Sequence, residues 1–192
     1  MAFALTEFKQ GLAQGGARSS LFNVEFSYPT SITAPQIGTF NSSELLVKAT
    51  SIPASTVGSY EVFYHGKAVK VAGDRTFDTW ETTIINDEDF AIRKAIEEWM
   101  ELISNSKLNT RDTQLSSSLK EGENAVYKQD MVVKQFGKDG SVVRKYTFVG
   151  AFPTALSAIN LDWGTQEIEE FTCTWTYDRW VAGDQSARPD LQ

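Results

Sequence analysis

Asp87-Glu88-Asp89 is the densest run of chemically capable side chains in the sequence. Three successive carboxylates could hold a metal ion or supply a general acid. They also stand where a strand pattern ends and a helical pattern begins, and carboxylates are favoured at the positive end of a helix dipole. That structural reading is the expected one. Asp74 and Asp78 form a second pair of acids with Arg75 between them, an arrangement expected to clamp a turn rather than share a proton. His65 is the one histidine, so every site that needs two is excluded; it is expected at a solvent-exposed hairpin tip. Cys173 is the one cysteine, which excludes an intramolecular disulfide and a cysteine-based zinc site. On the apolar side of a strand it is expected to be a small buried hydrophobe. No phosphate loop, dinucleotide fingerprint, nucleophile elbow or paired-histidine motif is present. The residues argue against an enzyme, and no catalytic group, metal or cofactor is expected.

The elements that hold these residues follow from pattern. Val71 to Phe90 organises the chain: the end of a strand, a tight Ala72-Gly73-Asp74 turn, a strand from Trp80 to Ile85, then a helix capped by Asn86 or Asp87. The helix is expected over Asp89 to Ser104, with Ile92, Ile96, Trp99 and Ile103 on one face that must lie on a sheet. Phe22, Val24 and Phe26 alternate with polar residues in a strand from Leu21 to Tyr28. Leu45 to Thr50 reads as a short strand. Val57 to Tyr64 and Lys67 to Ala72 make a hairpin around His65-Gly66, and Val126 to Phe136 with Ser141 to Val149 make a second around Gly137 to Gly140. The last strand sets Phe171, Cys173, Trp175 and Tyr177 against Thr172, Thr174, Thr176 and Asp178. Residues 1–20 read as an arm or short helix, Pro29 to Ser43 and Asn105 to Gly122 as long loops, and Ala182 to Gln192 as a flexible tail. The expected fold is α+β: a single mainly β domain of seven or eight strands over residues 1–192, an antiparallel sandwich or barrel with one principal helix.

Composition sets outer limits. The chain has 192 residues, 41% hydrophobic and 22% charged, enough for one buried core. No apolar run approaches the ~20 residues a bilayer span needs, so no membrane insertion is expected. The N-terminus lacks a basic region followed by an apolar block, which points to a protein made and kept in a cytoplasm. A net charge of -7 disfavours tight nucleic-acid binding.

The run VAGDRTFDTWETTIINDE resembles the most distinctive segment of the tail-tube proteins of contractile-tailed, T-even-type phages. Its Gly73, Asp74, Arg75, Phe77, Asp78, Trp80, Asn86, Asp87 and Glu88 carry the match. Leu21-Phe22-Asn23-Val24-Glu25, Lys48 to Ala54, Gly150 to Thr154 and Leu161-Asp162-Trp163 extend it over most of the chain. The resemblance implies a β-sandwich-like subunit with a flanking helix. It also implies hexameric rings stacked into a hollow tube inside a sheath, with strands shared in a ring-shaped barrel. The location implied is the virion, after synthesis in a host bacterial cytoplasm. Sheath, tape-measure and baseplate proteins are the implied partners, and DNA would pass through the lumen without specific binding. A baseplate-proximal tube initiator or the tube of a contractile injection system shares the same features, and the expanded 29–43 and 105–122 loops leave both open.

A water-filled barrel needs polar strand faces, which makes Thr172, Thr174, Thr176 and Asp178 candidates for the lumen wall. Trp163 and Trp180 are candidate subunit contacts, since exposed aromatics anchor interfaces. The competing reading is a monomeric β-rich module that binds nucleic acid or a ligand. It would need Lys128, Lys134, Lys138, Arg144 and Lys145 of the second hairpin to form a basic groove.

Overall fold

The computed structural model describes residues 16–32, 46–108, 110–111 and 127–183, and among these described residues alternation in the sequence becomes eleven strands and one helix. The expected N-terminal helix, most of the two long loops and the tail beyond Gly183 lie outside the described residues. The strands are β1 (Phe22–Glu25), β2 (Val47–Thr50), β3 (Thr56–Tyr64), β4 (Lys67–Thr76), β5 (Trp80–Ile85), β6 (Ser104–Asn105), β7 (Thr110–Arg111), β8 (Gln129–Phe136), β9 (Val142–Leu156), β10 (Glu170–Thr176) and β11 (Arg179–Ala182). The mainly β class with one helix agrees with the sequence. The count exceeds seven or eight because two-residue pairs such as β6–β7 carry no readable alternation, and because β11 falls in the short stretch between the last expected strand and the tail.

The sheet order is β1-β8-β9-β10-β5-β2, every pairing antiparallel, with β11 added beside β9. β9 runs for 15 residues and belongs to two layers. Its first part pairs with β8 and β11, and Phe152 to Leu156 pair with β10. Gly150 stands between these parts with φ +68°, where a Cβ would lie 2.5 Å from Asp178 Oδ2. Only glycine meets both demands there, and the strand can change layers.

The layers face each other across aromatic rings. Trp80 of β5 stacks on Phe148 of β9 at 4.2 Å, and Phe26 stacks on Trp175 of β10 at 5.4 Å. The Trp175 indole N–H donates to the Thr82 hydroxyl at 2.9 Å, so these two buried polar groups satisfy each other. Burial of each such side chain contributes on the order of 2–3 kcal/mol. The helix, Ala91–Ile103, buries Ile92, Ala95, Ile96 and Trp99 against the second layer, with Trp99 edge-on to Trp175 at 5.7 Å.

Two local expectations are corrected. Ala72-Gly73-Asp74 is not a turn: β4 runs through it. Val57 pairs with Arg75 but Ser59 with Ala72, so β4 carries one extra residue there, a bulge. A Cβ on Gly73 would meet the Gly58 carbonyl at 3.3 Å, so the glycine serves close backbone approach. Neither Asn86 nor Asp87 is the N-cap. Phe90 holds that position in a left-handed conformation, φ 54°. Asp87 still satisfies the helix start by accepting from the Ala91 N–H through Oδ1 at 3.1 Å, while Glu88 and Asp89 lie in the preceding turn. Asn86 donates instead to Glu169 at 2.9 Å.

Candidate assembly surfaces

The β3–β4 hairpin is built as a strand pair without a sheet. Among the described residues its strands pair only with each other, and every one of their residues except Gly73 is exposed. His65 (φ 45°) and Gly66 (φ 80°) form its tip, the two positive-φ positions of a type I′ turn. His65 stands edge-on to Tyr64 at 4.3 Å, a turn residue rather than a base. Cross-strand register sorts the side chains into two faces. Tyr60 opposes Val71, Val62 opposes Val69 and Tyr64 opposes Lys67; on the reverse face Ser59 opposes Ala72, Glu61 opposes Lys70 and Phe63 opposes Ala68. The first face is a core face left in water, with Tyr60 55% and Val62 48% exposed. Such a face marks an interaction site.

The motif segment roots this hairpin in the core. Trp80 is buried and donates to the Ser51 carbonyl at 3.1 Å. Phe77 packs on Tyr177 at 6.1 Å. Burial, and then the Asp78 carboxylate, push the Tyr177 phenol up from its ordinary pKa. Arg75 makes no ion pair with Asp74 or Asp78 among the described residues, so the expected clamp is absent. The bulge accounts for this: all three lie along an extended, water-facing strand and its exit rather than around a turn.

A polar sheet face is the second surface. Thr172 opposes Thr83 and Thr174 opposes Glu81 on the side of β10 away from the core, and Thr176 continues the row. Lys48 pairs with Glu170 at 2.5 Å at one end. Asp178 does not extend the row. It falls in the bend before β11, where both its oxygens accept from Lys128 at 2.7 and 2.8 Å. Cys173 is fully buried on the opposite face, and burial raises its thiol pKa.

The two tryptophans part company. Trp163 is fully exposed in the loop between β9 and β10. Trp180 is used within the chain: it packs edge-on against Tyr146 and donates to the Ala54 carbonyl at 3.1 Å, tying β11 to the segment before the hairpin. Three of the five basic residues of the second hairpin are similarly engaged. Lys128 is held by Asp178, Lys134 pairs with Glu25, and the Arg144 guanidinium lies 5.6 Å over the Tyr146 ring. These three point to separate partners rather than into one groove. Among the described residues no group of three His, Cys, Asp or Glu side chains is gathered to hold a metal. Sequence reasoning placed the hairpin but missed its unpartnered face, because Tyr60, Val62 and Tyr64 alternate as a core strand would.

Comparison with known proteins agrees with this picture. The family model described as phage tail tube protein matches residues 17–183. The tail tube protein gp19 of Enterobacteria phage T4 is 32% identical over 166 residues, covering 85% of this chain and 90% of that protein. The tail tube protein of Serratia phage KSP90 is 26% identical over 176 residues, covering 90% and 93%. In fold, the chain is similar to one in the anti-feeding prophage baseplate, with a TM-score of 0.62 at 13% identity over 88% of this chain and 95% of that one. It is also similar to a chain of the extended sheath–tube complex of the extracellular contractile injection system PVC, with a TM-score of 0.55 at 15% identity over 91% and 96%. A family match over nearly the whole described chain, with a relative above 30% identity, shows that this protein belongs to the phage tail tube protein family.

Proposed function

We propose that this tail tube protein closes into hexameric rings through the β3–β4 hairpin, and that the stacked rings form the conduit for DNA. The protein is a structural component of the virion, not an enzyme. The observation that carries the ring reading is the exposed Tyr60/Val62/Tyr64/Val69/Val71 face on a hairpin with no sheet of its own. A lone hairpin is marginal in water, so a second copy that covers this face completes the fold. An interface between different surfaces of identical subunits closes into a ring when its rotation permits. The row Thr172, Thr174, Thr176 with Thr83 and Glu81 then suits the lumen wall. Hydroxyls and a carboxylate give a wet surface that offers the DNA backbone no counterion-releasing contacts. A net charge of -7 supports passage without sticking. Trp163 stays available for contacts with a second copy, and sheath, tape-measure and baseplate proteins are the partners this reading assigns.

Negative-stain microscopy across a concentration series, paired with sedimentation velocity, tests the reading. Six-fold rings or hollow tubes are expected. A monomer at every concentration that binds DNA tightly and salt-dependently would replace it with the binding-module reading.

A further inference from the structure

We propose that the tip of the β3–β4 hairpin docks against the 157–169 loop of a second copy of the chain. The inference rests on the tube reading and assigns the surface pair that joins its subunits. The loop holds three exposed apolar side chains, Leu161, Trp163 and Ile168. It is not a slack connector. Asp162 Oδ1 accepts from the Gly164 N–H at 2.8 Å, and the Asp162 carbonyl accepts from the Thr165 hydroxyl at 3.1 Å, an Asx-type turn that presents Trp163 outward. Ile168 and Glu169 border an open cavity of about 380 Å³ whose other walls are Asn86, Asp87, Glu88 and Phe90. That space accepts one aromatic side chain. Asp87, Glu88 and Glu169 make its walls acidic, and Asp162 and Glu167 add carboxylates to the 157–169 loop.

The hairpin tip carries the complement. Phe63 and Tyr64 are 71% and 72% exposed, beside Lys67 and Lys70. Lys70 meets Glu61 only at 3.9 Å with both side chains in water, a contact worth little, so its charge remains available. An acidic, apolar-floored site and a basic, aromatic-tipped projection therefore occur on one chain. Complementary charge selects the pairing, and the aromatic anchor supplies the buried area. A foreign partner would need to bring the same basic aromatic segment that this chain already presents. Because the two surfaces differ, the contact runs head to tail and leaves a bound pair with one free surface of each kind, one on each subunit.

Ala68→Cys and Gln166→Cys in one chain, bridged by a short bismaleimide, test the pairing while leaving both aromatic sets intact. Native Cys173 is fully buried and does not compete. The expected result is an interchain ladder extending beyond dimer, which neither single-cysteine variant gives. Lys67→Glu with Lys70→Glu should lower the ladder yield ~10-fold at low salt, and adding Glu88→Lys with Glu167→Lys should restore it. A purely intrachain product, or a ladder indifferent to charge reversal, overturns the pairing. Rings seen by microscopy without a ladder overturn the pairing and leave the tube reading standing. Neither rings nor ladder counts against both.

Discussion

Val62 and Val69 face each other across the hairpin, and the simultaneous change Val62→Thr, Val69→Thr isolates what that face does. Threonine keeps the β-branched shape and strand preference of valine, and both sites are about half exposed in the subunit. The free subunit should therefore lose no more than about 0.5 kcal/mol, the range of ordinary surface changes. In an assembled ring each hydroxyl is buried against apolar surface, at a cost of about 1 kcal/mol or more if unpaired. Two such sites weaken each interface by about 2 kcal/mol, roughly a 30-fold drop in its equilibrium constant. In a closed hexamer every interface suffers together, and the concentration at which half the protein is assembled should rise ~60-fold. Sedimentation velocity across a dilution series reads that midpoint, and thermal unfolding of dilute subunits reads the control. A midpoint that moves less than about 3-fold, with subunit stability unchanged, would mean the face is not buried by assembly and would refute the reasoning.

Three further outcomes bear on the fold and the lumen. Trp175→Phe removes the donor to Thr82 and leaves a fully buried hydroxyl without its partner, so the subunit should lose ~1–3 kcal/mol in urea unfolding. Gly150→Ala sets a Cβ against Asp178 at a positive φ, and should cost about 2 kcal/mol while loosening the Lys128–Asp178 pair and the β9–β11 ladder, which hydrogen exchange would detect. Thr174→Lys sits on a half-buried strand face and should leave the subunit folded while lowering phage infectivity, since a ring of cations would retain passing DNA; undiminished infectivity would place the lumen elsewhere.

What the sequence could and could not disclose follows from the range of each signal. Period-two alternation over Phe171 to Tyr177 and the spacing of Ile92, Ile96 and Trp99 are local, and the structure buries these residues as that pattern requires. The type I′ tip at His65-Gly66 is also a local matter of φ. The Gly73-Asp74 bulge was illegible because glycine before aspartate has turn chemistry, and only the opposing Gly58 backbone turns it into a bulge. The αL Phe90 was hidden for a similar reason: nothing in Asn86-Asp87 announces that a bulky residue three places on will take the cap. Asp178 looked like a member of the threonine row until the bend toward β11 brought it to Lys128. The hairpin face is the instructive case. Alternation reports that Tyr60, Val62 and Tyr64 want cover but not what provides it, and among the described residues nothing does.

A cryo-electron microscopy reconstruction of the assembled protein tests the central claim most directly. The account predicts a hollow six-fold tube in which the Tyr60/Val62/Val69/Val71 face of each hairpin lies buried on a neighbouring copy and the Thr172/Thr174/Thr176 row faces the channel. Hairpins standing free in solvent within an otherwise closed ring, or that face turned to the open lumen, would contradict it.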